Sequence, residues 1–131
     1  MTPTRRVSTI GRWWPALVWT ALIFTASSIP GSRLDEVGLR IPDKLVHGLE
    51  YAVLGALLMR PLRAGPSRYA FVVAVVLGAL VGAVDENYQR LIPMRDSSIA
   101  DWMADLVGSA AGAAVAWWSV RYGRPGRRRD G

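Results

Sequence analysis

Cysteine is absent from the 131 residues, which removes disulfides and thiolate metal sites at the outset. Two other residue types are almost missing: Lys44 is the only lysine and His47 the only histidine. The remaining basic residues are arginines, and the pI is near 10.7. That basicity invites a nucleic-acid reading, but the arginines form no single stripe. They stand between long apolar runs, so nucleic acid is not an expected partner. The length leaves room for one domain, and 51% of the residues are apolar.

What is present in quantity is uncharged sequence. Trp13 to Ser32 runs 20 residues without a charge, Tyr69 to Val84 runs 16, and Leu106 to Val120 runs 15. A fourth apolar segment covers Tyr51 to Met59. Crossing a hydrocarbon core of about 30 Å takes about 20 helical residues at ~1.5 Å each. Only the first run reaches that length alone; the others must recruit polar neighbours, giving expected helices over 42–60, 69–88 and 101–120. The predicted fold is all-α: a polytopic membrane protein with a four-transmembrane-helix bundle and a polar cluster at the outer interface. A basic cytoplasmic segment (1–12) precedes the membrane domain (13–120), and an Arg-rich cytoplasmic tail (121–131) follows it. The first run has the basic flank of a signal peptide, but Trp13, Trp14, Trp19 and Pro15 suit an uncleaved span better.

Arginine placement sets the expected orientation. The N-terminus, the 60–68 connection and the C-terminal tail hold 11 of the 16 basic residues; the other two connections hold five. The positive-inside rule then puts both termini in the cytoplasm, as for a multi-pass protein of a bacterial inner membrane. Nine of the ten acids fall on the outer side, leaving only Asp130 inside. Trp13, Trp14, Tyr69, Trp117, Trp118 and Tyr122 mark one interface, and Tyr88 and Trp102 the other.

The stretch DKLVHGLEYAVLG, residues 43–55, is therefore unusual: it carries charge into a span. Asp43, His47, Glu50 and Leu54 follow the i, i+4, i+7, i+11 spacing of one helix face. Asp101, Asp105, Gly108 and Gly112 repeat that spacing on the last helix, and Asp85, Glu86 and Gln89 close the third. An ionised side chain at membrane depth costs about 2.5–3.5 kcal/mol on insertion scales and normally faces the bundle interior. Three helices should thus converge on one buried polar cluster.

Simpler roles compete at several positions. Pro42 and Asp43 suit the first turn of a helix, though this leaves Glu50, two turns on, unexplained. Ser98 and Asp101 have the spacing of a capping box. Lys44 can reach the interface as a solvated charge, and a lone histidine is often a packed core residue. Arg95 has two open roles, locking its loop through Asp96 or Asp101, or binding an anionic head group. Gly78 with Gly82, and Gly108 with Gly112, read as close-packing faces between helices.

SSIP ending the first helix, then DKLVHGLEYAVLG, then VDENYQRLIPMRDSSIADWMADLVG, then a small-residue helix: this order resembles the VanZ-like family of bacterial membrane proteins. The resemblance covers about Trp13 to Trp118. It implies functional roles for Asp43, Lys44, His47, Tyr51, Asp85, Glu86, Gln89, Arg95 and Asp101. Two positions depart from the family pattern: Gly48, where an aromatic often follows the histidine, and Asp105, where asparagine is frequent. The family's namesake is associated with low-level resistance to the glycopeptide teicoplanin, so the resemblance implies a role in the cell envelope and no particular reaction.

Two function classes follow. In the first, the cluster binds or chemically modifies an envelope lipid or a lipid-linked cell-wall precursor. Lys44, Arg95, Tyr51, Gln89 and Asp101 would contact the ligand, and His47, Asp43, Glu50, Asp85 and Glu86 would handle protons. In the second, a scaffold or small transporter uses the same groups as ion pairs or a proton path. One histidine among six carboxylates would suit Mg²⁺ or Mn²⁺ better than zinc, yet the spacing matches no defined metal motif. No metal or cofactor is expected, and GxxxG faces leave the oligomeric state open.

Overall fold

The computed structural model describes residues 10–36, 42–62 and 68–123. Most of the expected basic segments, 1–12 and 121–131, lie outside the described residues. Five helices make up the described chain: α1 (Ile10–Ser27), α2 (Gly31–Glu36), α3 (Asp43–Leu62), α4 (Arg68–Gln89) and α5 (Ile99–Tyr122), with no strand among the described residues. Three of them, α3, α4 and α5, are long and apolar enough to cross a membrane. α1 has 18 residues but is not among the three. Its first half carries Arg12, Pro15 and two of its three tryptophans, none of which favours hydrocarbon.

The expected helices over 42–60, 69–88 and 101–120 appear with their ends shifted by one or two residues. The first helix ends at the SSIP stretch, as expected. It stops at Ser27, where the Ser28 N–H and hydroxyl both turn back to the Phe24 carbonyl (3.0 and 2.6 Å). Pro30 then forbids continuation, because it has no N–H and pushes Ile29 out of the helical region. A short second helix, α2, starts beyond it.

The other boundaries have local causes as well. The Pro42 carbonyl accepts the Val46 N–H at 3.3 Å, which opens α3 with Asp43 in the first turn. Ser98 caps α5 in an extended conformation, its hydroxyl accepting the Asp101 N–H at 3.1 Å and donating to the Asp101 carboxylate. Only the first half of the expected capping box forms: the Ser98 N–H, which Asp101 would take in the full motif, goes to Glu86 Oε2 instead. Met94, in the α4–α5 connection, holds a left-handed backbone (φ 55°). Its carbonyl packs where a Gly31 Cβ would stand, so the connection lies directly on the α1–α2 junction.

α3 is the hub: it packs along α5 and α4, with α1 against both α3 and α4. The α3–α5 contact is backbone to backbone. A Cβ on Gly108 would overlap the Gly48 carbonyl, one on Gly112 the Ala52 carbonyl, and one on Gly55 the Ser109 carbonyl. On α4, Gly78 and Gly82 leave room for the Ser109 and Asp105 side chains. Both expected GxxxG faces therefore work between helices of one chain.

Beside an apolar core of Ile23, Leu54, Leu58 and Met59, burial departs from that of a protein folded in water. Leu17, Leu49, Leu80, Val84, Val107 and Val115 face outward. Inside, the three long helices bury His47, Asp85, Glu86, Gln89, Asp101 and Asp105. Ionisable side chains are rarely fully buried in water-soluble folds unless paired; a surface of leucine and valine around an interior that holds both an apolar core and a paired ionisable cluster suits a hydrocarbon solvent.

Candidate functional site

Each of the three long helices brings polar side chains to the same end of the bundle. On α3, His47 is 4% exposed and Tyr51 fully buried. The buried stripe runs His47, Tyr51, Leu54, Leu58, one step round the helix from the expected Asp43, His47, Glu50, Leu54. Asp43 consequently stands at the mouth with its side chain half exposed. Glu50 is half-buried at the edge of the stripe; its backbone carbonyl accepts the Trp19 indole N–H at 2.8 Å. From α4 come Asp85, Glu86 and Gln89, and from α5 Asp101 and Asp105, all buried.

The centre of the cluster is His47. Its Nδ1 lies 2.9 Å from Asp105 Oδ1 and 3.8 Å from Glu86 Oε1. Only the first is a hydrogen bond by distance. Glu86 is held from behind: its Oε2 accepts the Ser97 hydroxyl at 2.8 Å and the Ser98 N–H at 3.0 Å. A second, adjoining group forms on Asp85 Oδ2, which accepts from Gln89 Nε2 at 3.3 Å and, at the outer limit of 3.5 Å, from the Tyr51 hydroxyl. Gln89 Nε2 also reaches the Ser27 hydroxyl at 3.1 Å and so ties α4 to the end of α1. Four carboxylate oxygens in this interior, Asp85 Oδ1, Glu86 Oε1, Asp101 Oδ1 and Asp105 Oδ2, accept no hydrogen bond among the described residues.

The two cations occupy the mouth. Lys44 Nζ stands 3.4 Å from Asp101 Oδ1, with the lysine side chain 63% exposed and the aspartate 6%. Arg95 is a different case. Its Nε and Nη2 donate to the Ile29 and Ala26 carbonyls at the end of α1 (3.2 and 3.1 Å), and its Nη1 lies 3.8 Å from Asp43 Oδ1. The loop lock expected through Asp96 or Asp101 is replaced by a clamp on α1, whose last carbonyls have no helical partners of their own.

The structure thus brings His47, Tyr51, Asp85, Glu86, Gln89 and Asp101 together inside, sets Asp43, Lys44 and Arg95 at the rim, and leaves Glu50 at the edge. Asp105, expected on the Asp101 face from its i+4 spacing, is the nearest partner of the histidine. Ser97, which holds Glu86, has no distinguishing mark in the sequence. Trp102, expected as an interface anchor, donates its indole N–H to the Ala79 carbonyl at 3.0 Å and joins α5 to α4. Chemically, the arrangement offers acceptor oxygens facing an imidazole inside, and an accessible ammonium at the rim.

The fold and site define a class: an all-helical protein with three helices suited to crossing a membrane and an ionisable cluster buried between them. No family model, curated protein or solved structure matches the chain.

Proposed function

We propose that the chain is a VanZ-like protein of a bacterial inner membrane, and that its buried cluster is a site for the polar head of an envelope lipid or lipid-linked cell-wall precursor. The observation that carries this reading is the burial of ionisable side chains at one spot between helices that are apolar outside. Three helices expose leucine and valine outward and, at one end of an interior otherwise filled by Leu54, Leu58, Met59 and Ala113, bury Asp85, Glu86, Asp105 and His47. Buried ion pairs stabilise a fold little or not at all compared with apolar packing of the same volume, so stability alone gives no reason to keep them. In this reading α1, about 27 Å long at ~1.5 Å per residue, is a fourth span. Both termini are cytoplasmic, and the cluster opens to the outer surface. Lys44, exposed at the rim, attracts an anionic head group, and the carboxylates and His47 bind it or move a proton on it. Glycopeptide resistance of the teicoplanin type is one phenotype such a site could produce.

A second reading has its own support. Arg95 and Asp101 are engaged in holding α1 and capping α5, as in a scaffold or proton path whose ion pairs are structural. Native mass spectrometry of the detergent-purified protein separates the two, with wild type beside His47→Ala and Asp85→Asn. The head-group reading expects a lipid adduct on the wild type that both variants lose while remaining folded. A bare wild type beside folded variants contradicts it and favours the scaffold.

A further inference from the structure

His47, Glu86 and Asp105 each offer a ligand-capable atom, and these atoms lie within 4.8 Å of one another. Each residue comes from a different helix. Hydrogen bonding accounts for part of this arrangement only. Nδ1 carries at most one proton, and Asp105 Oδ1, at 2.9 Å, takes it. Glu86 Oε1 then faces the same nitrogen from 3.8 Å, beyond hydrogen-bond reach. Asp105 Oδ2 has no partner among the described residues, although the residue is fully buried. A buried acceptor left in this way normally costs about 1–3 kcal/mol, and more if charged.

The spacing is close to that of a coordination shell. An octahedral ion with bonds of ~2.1 Å holds neighbouring donors ~3 Å apart. The 2.9 Å pair meets that spacing already, and the 3.8 Å pair approaches it. The carboxylates are also oriented from outside, as metal ligands usually are. Ser97 and the Ser98 N–H fix Glu86 through its other oxygen, and glycine at position 82 leaves the space that the Asp105 carboxylate fills. Charge points the same way. Asp85, Glu86 and Asp105 face a single imidazole, while Lys44 and Arg95 stand at the rim beside Asp101 and Asp43. Three carboxyl groups against one imidazole in a region of low dielectric call for protons or a cation to neutralise them, because isolated charge is costly there.

We infer that His47, Glu86 and Asp105 form a divalent-cation site, with the His47 imidazole, Glu86 Oε1 and an Asp105 carboxylate oxygen as the protein donors. One nitrogen and two carboxylate oxygens, with no sulfur, suit Mn²⁺ or Mg²⁺, with Zn²⁺ as the competitor. Three protein donors leave further positions for water or for an anionic oxygen. The site rests on this geometry alone and holds whether or not the head-group reading does.

The test uses the purified full chain in detergent, carried on a tag without histidine and stripped with chelator. Mn²⁺ is added while binding is counted by electron paramagnetic resonance and the ring signals of His47, the only histidine, are followed by NMR. One ion per chain is expected, with the His47 signals broadened away at one equivalent. Glu86→Gln and Asp105→Asn should each weaken Mn²⁺ binding more than ~100-fold, beyond the ~10–100-fold that losing a supporting outer partner costs. Absence of saturable binding of Mn²⁺ and Zn²⁺ to the wild type would overturn the proposal. So would binding that leaves the His47 signals sharp, a readout needing no variant to fold, or undiminished binding by both variants. Lipid adducts are a separate readout, so either reading can fail without the other.

Discussion

At one end of the bundle, where α3 and α5 begin and α4 ends, helices meet through charged side chains: His47 against Asp105 and Glu86, Lys44 against Asp101. One to two turns further in, α3 and α5 meet through backbone, with Gly108 against Gly48 and Gly112 against Ala52. The difference shows where stability comes from when lipid is the solvent. Hydrocarbon is as apolar as leucine, so burying leucine between helices gains little, and close packing of small residues does the work instead. The charged end adds groups that are expensive to bury. It is held in place by the packed half rather than contributing to it.

Substitutions that crowd the packed half should therefore have the largest structural effects. Gly112→Ala puts a Cβ into the Ala52 carbonyl and should cost about 1–3 kcal/mol, the range for overpacking, as a lowered melting temperature in detergent. Gly48→Ala on the facing helix is the control. Its Cβ meets only the Ala104 carbonyl, at 3.9 Å. With alanine the better helix former by about 1 kcal/mol, stability should hold or rise. Equal losses at both positions would break the distinction between the packed contact and its surroundings.

Next in size is the clamp at the charged end. Arg95→Ala removes two charge-assisted bonds to the α1 carbonyls. At about 1.5–3 kcal/mol for a bond to a charged group in favourable geometry, discounted for partial exposure, a loss of about 2 kcal/mol is expected. Protease cleavage near Ile29 should rise with it, while α3–α5 packing, followed by hydrogen exchange, stays intact. Ser98→Ala should cost about 1 kcal/mol through the lost cap, seen as faster exchange of the first α5 amides. The smallest stability change belongs to Lys44→Ala. Its pair with Asp101 is mostly solvated on the lysine side, and such pairs contribute about 0–1 kcal/mol. The same change should reduce any lipid adduct, which separates rim chemistry from fold.

Much of this geometry was legible in the sequence. Helical spacing in three charged-to-apolar segments was enough to predict a convergent cluster of Asp85, Glu86 and His47. Phase was less secure. Period alone put Asp43 and Glu50 on the buried face, but the close α3–α5 approach at Gly108 and Gly112 turns Tyr51 inward, a constraint set by another helix. Asp105 repeats the spacing of Asp101, yet nothing in α5 alone says that it meets the histidine before Asp101 does. The Arg95 clamp joins residues 66 and 69 positions apart, and no local pattern encodes such a pairing. The break after Ser27 was legible in SSIP, where Pro30 bars the helix from continuing.

In the proposed orientation the charged end opens to the outside and the far ends of α3 and α5 lie inside. A chain without cysteine allows a direct measurement. Lys44→Cys and Ser119→Cys, both at exposed positions at opposite ends of the bundle, are expressed singly in bacterial cells and treated with a membrane-impermeant maleimide. The account predicts labelling of Lys44→Cys in intact cells and of Ser119→Cys only after the membrane is permeabilised. Labelling of Ser119→Cys from outside, with Lys44→Cys protected until permeabilisation, would contradict it.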